Sequence, residues 1–165
     1  MTATLLVVHH SPTRSMSALL DAAVAGAHDD AITGVQVRVR HALEATADDV
    51  LAADGYLLGS TANFGYMSGA LKHFFDSTFL QIGGSLSSTG AADESSGSTA
   101  GRPYGLYVHG RYDTTGAVRS VLSITGALRW KQAAEVLQVM GDVADADREA
   151  AYELGGTLAA LLMDD

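Results

Sequence analysis

Residues 59–76, GSTANFGYMSGALKHFFD, decide the fold of this chain. The apolar run at 55–58 just before them is typical of a buried strand, and the polar segment 60–68 predicts a loop. Apolar residues then recur at helical spacing and predict a helix over 69–79. A loop between a buried strand and a helix lies at the strand's carboxyl end, where open α/β sheets bind their ligands.

Strand and helix patterns alternate over the rest of the chain. Apolar or alternating runs predict strands at 4–9, 34–40, 56–59, 104–109 and 134–139, and helical patterns lie at 17–27, 46–53, 69–79, 115–128 and 145–163. Thr46, followed by Asp48 and Asp49, indicates a helix cap. Because parallel strands need long crossover connections, we expect an α/β three-layer sandwich with a five-stranded parallel sheet. Its expected strand order is 2-1-3-4-5, in one domain over 1–165.

Composition narrows the classes of function. The chain has 165 residues, of which 47% are hydrophobic and 18% charged, enough for one core. A net charge of -9 and a pI near 4.9 disfavour nucleic acid and anionic membranes as partners. The absence of cysteine excludes disulfides, thiolate catalysis and cysteine-bound zinc. With no signal-peptide pattern and no long apolar run, we expect a cytoplasmic protein without membrane insertion.

The first candidate site is the turn between strand 4–9 and the following helix. Amide groups at a helix start carry partial positive charge, and nearby hydroxyl and guanidinium groups strengthen the attraction for a phosphomonoester. Ordinary helix capping by serine or threonine is the alternative. No G-x-x-x-x-G-K-[ST] or G-x-G-x-x-G pattern is present for other phosphate folds. The candidate ligands are Ser11, Thr13, Arg14, Ser15 and Met16.

The second candidate site is the polar segment after the third strand. Its small and polar residues surround a single aromatic side chain, which suits a flat heterocycle whose edge needs hydrogen bonds. The alternative for Phe64 and Tyr66 is packing onto Phe74 or Phe75. The candidate residues are Ser60, Thr61, Ala62, Asn63, Phe64 and Gly65.

Three segments, in this order, resemble the flavodoxin-like FMN proteins, especially their NAD(P)H:quinone reductase and FMN reductase branches. LLVVHHSPTRSMSALLDAAVAGA is similar to the first strand, phosphate loop and helix, GSTANFGYMSGALKHFFD to the flavin-ring loop, and YGLYVHGRYDTTGAV to the fourth strand and third flavin loop. The chain departs from the S/T-x-T-G-x-T phosphate pattern at Arg14 and Met16. The proline-bearing start of the ring loop is replaced by Ser60 and Thr61.

The resemblance implies an FMN-dependent oxidoreductase that passes electrons from NAD(P)H to a quinone, a flavin or another small acceptor. It assigns a third flavin loop, with His109 as a catalytic candidate that hydrogen-bonds a quinone or stabilises reduced flavin. A structural role is the alternative for His109. Arg111 is expected to attract the phosphate of a nicotinamide cofactor, and an ion pair with Asp113 is the alternative for it. The third-loop candidates are His109, Gly110, Arg111, Tyr112 and Asp113.

A flavodoxin-type electron carrier, without direct NAD(P)H oxidation, is the alternative function. The quinone-reductase relatives are commonly dimers or tetramers, and the helix bearing Phe74, Phe75 and Phe79 has apolar surface for such a homodimer or homotetramer. A doubly wound signalling receiver ranks far lower, because it needs an acidic cluster where this chain has His9 and His10.

Two further features complete the sequence-based expectations. The Gly- and Ser-rich segment 81–102 predicts either a mobile surface loop or a flap beside the flavin or a neighbouring subunit. His9 and His10 are adjacent on an extended segment, so we expect their rings on opposite faces. No metal site is therefore expected there.

Overall fold

The computed structural model describes residues 2–90, 92–93 and 97–164. In chain order its elements are β1 (Ala3–His9), α1 (Arg14–Ala27), β2 (Val35–His41), α2 (Ala47–Ala52), β3 (Gly55–Asn63), β4 (Tyr66–Met67), α3 (Gly69–Thr78), β5 (Ser85–Leu86), β6 (Ala92–Asp93), β7 (Pro103–Gly110), α4 (Thr115–Ala127), β8 (Lys131–Gln132), β9 (Leu137–Met140) and α5 (Asp145–Ala160).

The main sheet has the order β2-β1-β3-β7-β8, with β9 also paired to β7 and all of these pairs parallel. This confirms the predicted order 2-1-3-4-5. The described sheet has seven strands instead of the expected five. One extra strand is β4, which pairs antiparallel with β3, and the other arises because the fifth strand is divided into β8 and β9. Gln132 pairs with Tyr104 and Leu137 with Tyr107, so the fifth strand carries extra residues between its two pieces.

Helices cover both faces of the sheet and give the three expected layers. On one face, α1 and α5 pack on a cluster that includes Leu5, Val7, Leu57 and Tyr107. On the other face, α2, α3 and α4 cover a second cluster in which Trp130 stacks on Tyr56, with ring centroids 4.0 Å apart. The two faces together bury the apolar side of every helix, which is how amphipathic elements are stabilised in a layered fold.

Helix α1 begins at Arg14, earlier than the predicted start at residue 17. Thr13 is its N-cap and accepts a hydrogen bond from the Met16 amide at 3.2 Å. The predicted loop therefore provides the first turn of the helix. The predicted capping by Thr46 is confirmed, since Thr46 and Asp49 form a capping box at the start of α2.

Strand β2 is an edge strand, as the predicted order 2-1-3-4-5 requires. Arg38 and Arg40 both lie within ion-pair distance of Asp49 on α2, at 3.5 and 3.4 Å. Asp49 thus ties the edge strand to the adjacent helix.

The segment 81–102 is anchored where it re-enters the fold; residues 91 and 94–96 lie outside the described residues. The buried Thr99 hydroxyl donates to the Ile82 carbonyl at 2.6 Å and accepts from the Trp130 indole at 2.8 Å. The Arg102 guanidinium donates to the carbonyls of Val50 and Ala53 at 3.0 and 2.7 Å. The far end of the segment is therefore attached to α2 and to the core.

Helix α3 does not expose the aromatic surface expected of it. Phe74 and Phe75 are fully buried in the cluster on its face of the sheet, which leaves the predicted homodimer or homotetramer untested. Among the described residues, the longest helices fall short of the length and apolar character that crossing a bilayer demands.

Candidate functional site

The three predicted turns lie side by side at the carboxyl edge of the sheet. Strand β1 runs parallel to β3, and the pairing continues past its end, where the His10 amide donates to the Gly59 carbonyl at 3.1 Å. On the other side of β3, Thr61 is paired with His109 of β7. Because neighbouring strands are about 4.8 Å apart, the first, second and third turns follow one another along the edge.

The first turn presents the start of α1. Thr13 caps the helix, and its carbonyl accepts from the Ser17 amide at 3.0 Å. Thr13 therefore caps the helix as the alternative interpretation expected, but its side chain accepts a hydrogen bond from only one of the first amides of α1. The first amides of a helix have no intrahelical partner, so those of Arg14 and Ser15 remain available to an anion. Arg14 is exposed beside them, whereas the Met16 side chain is buried in the core.

Three histidine rings meet beside this turn. The His41 ring, at the end of β2, lies 5.6 Å from the His9 ring and 5.5 Å from the His10 ring, in edge-on arrangements. The prediction of opposite faces is wrong, because the rings of both residues contact the His41 ring. His9 Nδ1 is also 2.9 Å from the Ser11 hydroxyl. Among the described residues, no cluster of His, Cys, Asp and Glu has the arrangement of a metal site.

The second turn is a tight hairpin rather than the predicted open loop. Strand β3 continues to Asn63, which pairs with Tyr66, so Phe64 and Gly65 form the turn with φ of 50° and 73°. Positive φ at both positions is typical of a type I′ hairpin and favours glycine. Phe64 is fully exposed, so its predicted packing onto Phe74 or Phe75 is wrong.

Ser60 lies behind this hairpin and not at its tip. Its buried hydroxyl accepts from the Ser68 amide at 2.9 Å and donates to the Thr61 carbonyl at 2.8 Å. Ser60 therefore joins β3 to the residue that caps α3. Its predicted contact with a cofactor is untested.

The third turn follows β7 and lies against the hairpin. A Cβ placed on Gly110 would be 3.1 Å from the Ala62 Cβ, so Gly110 lets the two turns approach. Arg111 pairs with Asp142 at 3.4 Å, and Asp113 instead accepts from the Thr115 amide at 2.9 Å, so the alternative of an Arg111–Asp113 pair is wrong. Hydrogen bonding to the Thr115 side chain, followed by that to its amide, holds the pKa of Asp113 below its usual range.

His109 is 5% exposed, and its Nε2 donates to the Gly141 carbonyl at 2.6 Å. This bond joins β7 to the turn before α5, which is the structural role considered for it. The catalytic role implied by the resemblance is untested.

The second and third turns enclose a cleft of about 450 Å³. Two exposed aromatic side chains line it, Phe64 from the second turn and Tyr112 from the third, and Tyr112 is 91% exposed. Large apolar rings left in water are costly, so this pair indicates a ligand surface. A larger depression of about 510 Å³ runs along α4 from Thr115, just after the third turn, and has no aromatic residue in its lining. The cleft is lined by Ala62, Asn63, Phe64, Gly65, Arg111, Tyr112 and Asp113.

Buried polar atoms without a partner lie at the same edge. Within the part of the chain that the structure describes, the Thr61 hydroxyl and His10 Nδ1 are buried and unpaired. Such atoms are rare in folded proteins because each costs free energy. Thr61 is 6% exposed and lies between the first and third turns, where a ligand would supply the missing hydrogen bond.

Two residues at this edge were missed by the sequence-based interpretation. The predicted second strand ends at residue 40, so it does not include His41. The predicted strand order already brings the end of this strand beside His9. Gly116, in the first turn of α4, lies against the Gly65 carbonyl. No sequence signal predicts that contact, because it depends on how a hairpin and a helix pack.

Comparison with known proteins gives a partial sequence match and many structural ones. No protein-family model matches the chain. A flavodoxin of Aquifex aeolicus (strain VF5) is 35% identical over 81 residues, which are 49% of this chain and 43% of that protein. The match therefore spans less than half the length of this curated relative.

Solved structures match over nearly the whole chain. A flavodoxin from the domain Archaea has a TM-score of 0.77 at 16% identity, covering 96% of this chain and 98% of its own. A flavodoxin, WrbA-like protein from Agrobacterium tumefaciens has a TM-score of 0.69 at 13% identity, covering 98% of both chains. At these identities the likeness concerns the fold. The chain therefore has a flavodoxin-like fold, an α/β parallel sheet covered by helices on both faces.

Proposed function

We propose that the protein binds FMN and acts as a flavodoxin-type electron carrier. The observation that carries this proposal is the cleft lined by Phe64 and Tyr112, which lies at the same carboxyl edge of the sheet as the turn where α1 begins. A planar ring with a phosphate tail needs both features at once. The partial match to a protein named flavodoxin supports the carrier more than an enzyme.

The residues present fit the two ends of such a ligand. At the phosphate end, the free amides of Arg14 and Ser15 and the Arg14 guanidinium supply donors and positive charge. Between the ends, the unpaired Thr61 hydroxyl provides a hydrogen bond that nothing else in the described structure satisfies. Bound FMN would supply the one- and two-electron chemistry that these side chains lack.

The protein's own contribution at the ring end is to hold and shield it. Phe64 and Tyr112 would cover the two faces of the ring and exclude water, while backbone groups of the hairpin would contact its edge. The net charge of -9 would also steer the protein toward basic redox partners.

A reductase that takes hydride from NAD(P)H and reduces a quinone or flavin is the second candidate. It is supported by Arg111, an exposed cation on the cleft wall that suits a nucleotide phosphate. The ion pair of Arg111 with Asp142 is exposed and 3.4 Å long, and such pairs are weak. It would therefore not prevent Arg111 from binding a nucleotide phosphate.

The test is to purify the protein, record flavin absorbance, and titrate the apoprotein with FMN. We expect tight FMN binding with quenching of flavin fluorescence, and failure to bind FMN would overturn the proposal. Stopped-flow mixing of the FMN complex with NADH and NADPH then separates the candidates. A carrier is reduced only when a partner reductase is added, whereas a reductase is reduced directly.

A further inference from the structure

The histidine cluster His9, His10 and His41 lies beside the first turn. The two ring contacts to His41 are 5.6 and 5.5 Å between centroids. His9 reaches the turn itself through the Ser11 hydroxyl at 2.9 Å. The cluster and the start of α1 thus form one continuous surface.

Part of this surface lacks the hydrogen bonds that it needs. His10 Nδ1 is buried without a partner in the described structure, and so is the Thr61 hydroxyl on the neighbouring strand. Thr61 is more than nine-tenths buried. A ligand with several acceptor oxygens would satisfy such donors, as well as the free amides of α1.

Few other charges act on the cluster. On β2, Arg40 is paired with Asp49, and in the turn after β2 the Glu44 carboxylate raises the pKa of His9. On α1, Arg14 is exposed at the helix start, and Asp21 lies farther along, where it acts on the buried Tyr107 of β7. No carboxylate is bonded to the three rings in the described structure.

Without an anion, protonation of His9 and His10 is disfavoured. Burial, followed by the proximity of His41, lowers the pKa of both His9 and His10, and His10 further lowers that of His9. A dianion placed beside the rings would have the opposite effect, because an opposite charge favours the protonated form. Binding and protonation would then be linked.

Resting on the proposed function, we propose that His9, His10 and His41 are a proton-dependent counter-charge for the phosphate of FMN. Binding of the phosphomonoester takes up protons onto this cluster, so the preference of the site for phosphorylated over unphosphorylated flavin increases as pH falls toward about 6.

The sign follows from linkage. In the pH range between the pKa of a ring in the free protein and its pKa in the bound protein, that ring takes up a proton on binding. For each such proton, the dissociation constant of FMN falls by about tenfold for each unit by which the pH is lowered. The phosphate itself loses charge below about pH 6, so the informative range lies above that value. Riboflavin carries the same ring without the phosphate and should bind with no such dependence.

The first experiment titrates apoprotein with FMN and with riboflavin by fluorescence quenching, from about pH 6.5 to 8.5. We expect the FMN dissociation constant to rise with pH while that of riboflavin stays flat. In His41→Gln the slope for FMN should decrease, and in His73→Gln, a control on α3 far from the turn, it should not change. Equal slopes for FMN and riboflavin would overturn the proposal.

The second experiment keeps the inference separate from flavin binding. The six histidines are titrated by NMR in the wild-type apoprotein, with inorganic phosphate or with chloride at equal ionic strength. We expect phosphate to raise the titration midpoints of His9, His10 or His41 and to leave those of His28 and His73 unchanged. Unchanged midpoints in the cluster would refute the counter-charge, whether or not FMN binds; raised midpoints without FMN binding would refute only the electron-carrier proposal.

Discussion

Gly116 in the first turn of α4 lies directly against the carbonyl oxygen of Gly65 in the β3–β4 hairpin. A Cβ at position 116 would overlap with that oxygen, and the strained backbone of Gly65 also suits glycine. Two glycines on separate elements therefore fix the hairpin relative to the third turn, and with it the width of the cleft.

Gly116→Ala should move the hairpin and weaken FMN binding, because the new methyl group has no free space. Overpacking of this kind costs about 1–3 kcal/mol of unfolding free energy. The matched control is Gly126→Ala in the same helix, where a Cβ meets nothing within 4 Å. The control should gain about 1 kcal/mol of stability and bind FMN normally. Chemical denaturation and FMN titration measure both; equal FMN affinity in the two variants would contradict the role of Gly116.

Phe64→Ala and Tyr112→Ala should each weaken FMN binding without destabilising the apoprotein. Both side chains are exposed, so their removal costs little in folding, whereas loss of ring stacking costs about 1 kcal/mol or more, at least about fivefold in Kd. Leu161→Ala, an exposed apolar residue at the end of α5, is the control. Fluorescence titration and thermal unfolding separate the two effects, and wild-type affinity in both aromatic variants would exclude the cleft as the ring site.

Thr61→Val should change stability and binding in opposite directions. The buried Thr61 hydroxyl has no partner in the described structure, so replacing it by a methyl group of similar size removes an unsatisfied polar atom. We expect the apoprotein to gain up to about 1 kcal/mol and the FMN complex to weaken. Urea unfolding and FMN titration test this, and a loss of apoprotein stability would show that the hydroxyl has a partner in solution.

The free energy of unfolding should decrease as pH falls below about 6.5. The pKa values of His9 and His10 are lowered in the folded protein, so the unfolded chain binds more protons in this range and is favoured. His41→Gln removes a repulsive neighbour and should reduce the loss, while His73→Gln should not. Denaturation curves at a series of pH values measure the free energy of unfolding. Identical pH profiles for His41→Gln and the wild type would contradict the proposed effect of His41 on His9 and His10.

Gly155→Ala should strongly destabilise the protein. A Cβ on Gly155 of α5 would overlap with the Ala23 carbonyl of α1, and Gly26 has the reciprocal relation to the Tyr152 carbonyl. The backbones of the two helices thus approach through glycine, and overpacking should cost about 1–3 kcal/mol or more. Gly69→Ala, where a Cβ meets nothing within 4 Å, is the control. Chemical denaturation tests the pair.

The strand order and the placement of the three turns were predictable because they follow from periodicity and from crossover geometry. Apolar runs mark the central strands, and a parallel sheet with helical crossovers allows few arrangements. The seven residues that line the cleft were all among the predicted candidates, since they follow strands whose carboxyl ends must meet at one edge.

Three local features could not be predicted from hydrophobic periodicity: the β3–β4 hairpin, the divided fifth strand and the histidine cluster. The β3–β4 hairpin depends on positive φ at Phe64, a residue for which that conformation is uncommon. The divided fifth strand depends on its register with β7. Likewise, the histidine cluster depends on the pairing of His9 with His41 on the neighbouring strand and on the position of the His10 ring just beyond β1.

The arginine-bearing edge strand β2 bears on how copies of this protein meet. A charged strand at the rim of a sheet discourages another chain from adding its own strand there, because the incoming backbone would meet guanidinium groups and the Asp49 carboxylate. Growth of the sheet from one molecule into the next is therefore disfavoured on this side of the sheet.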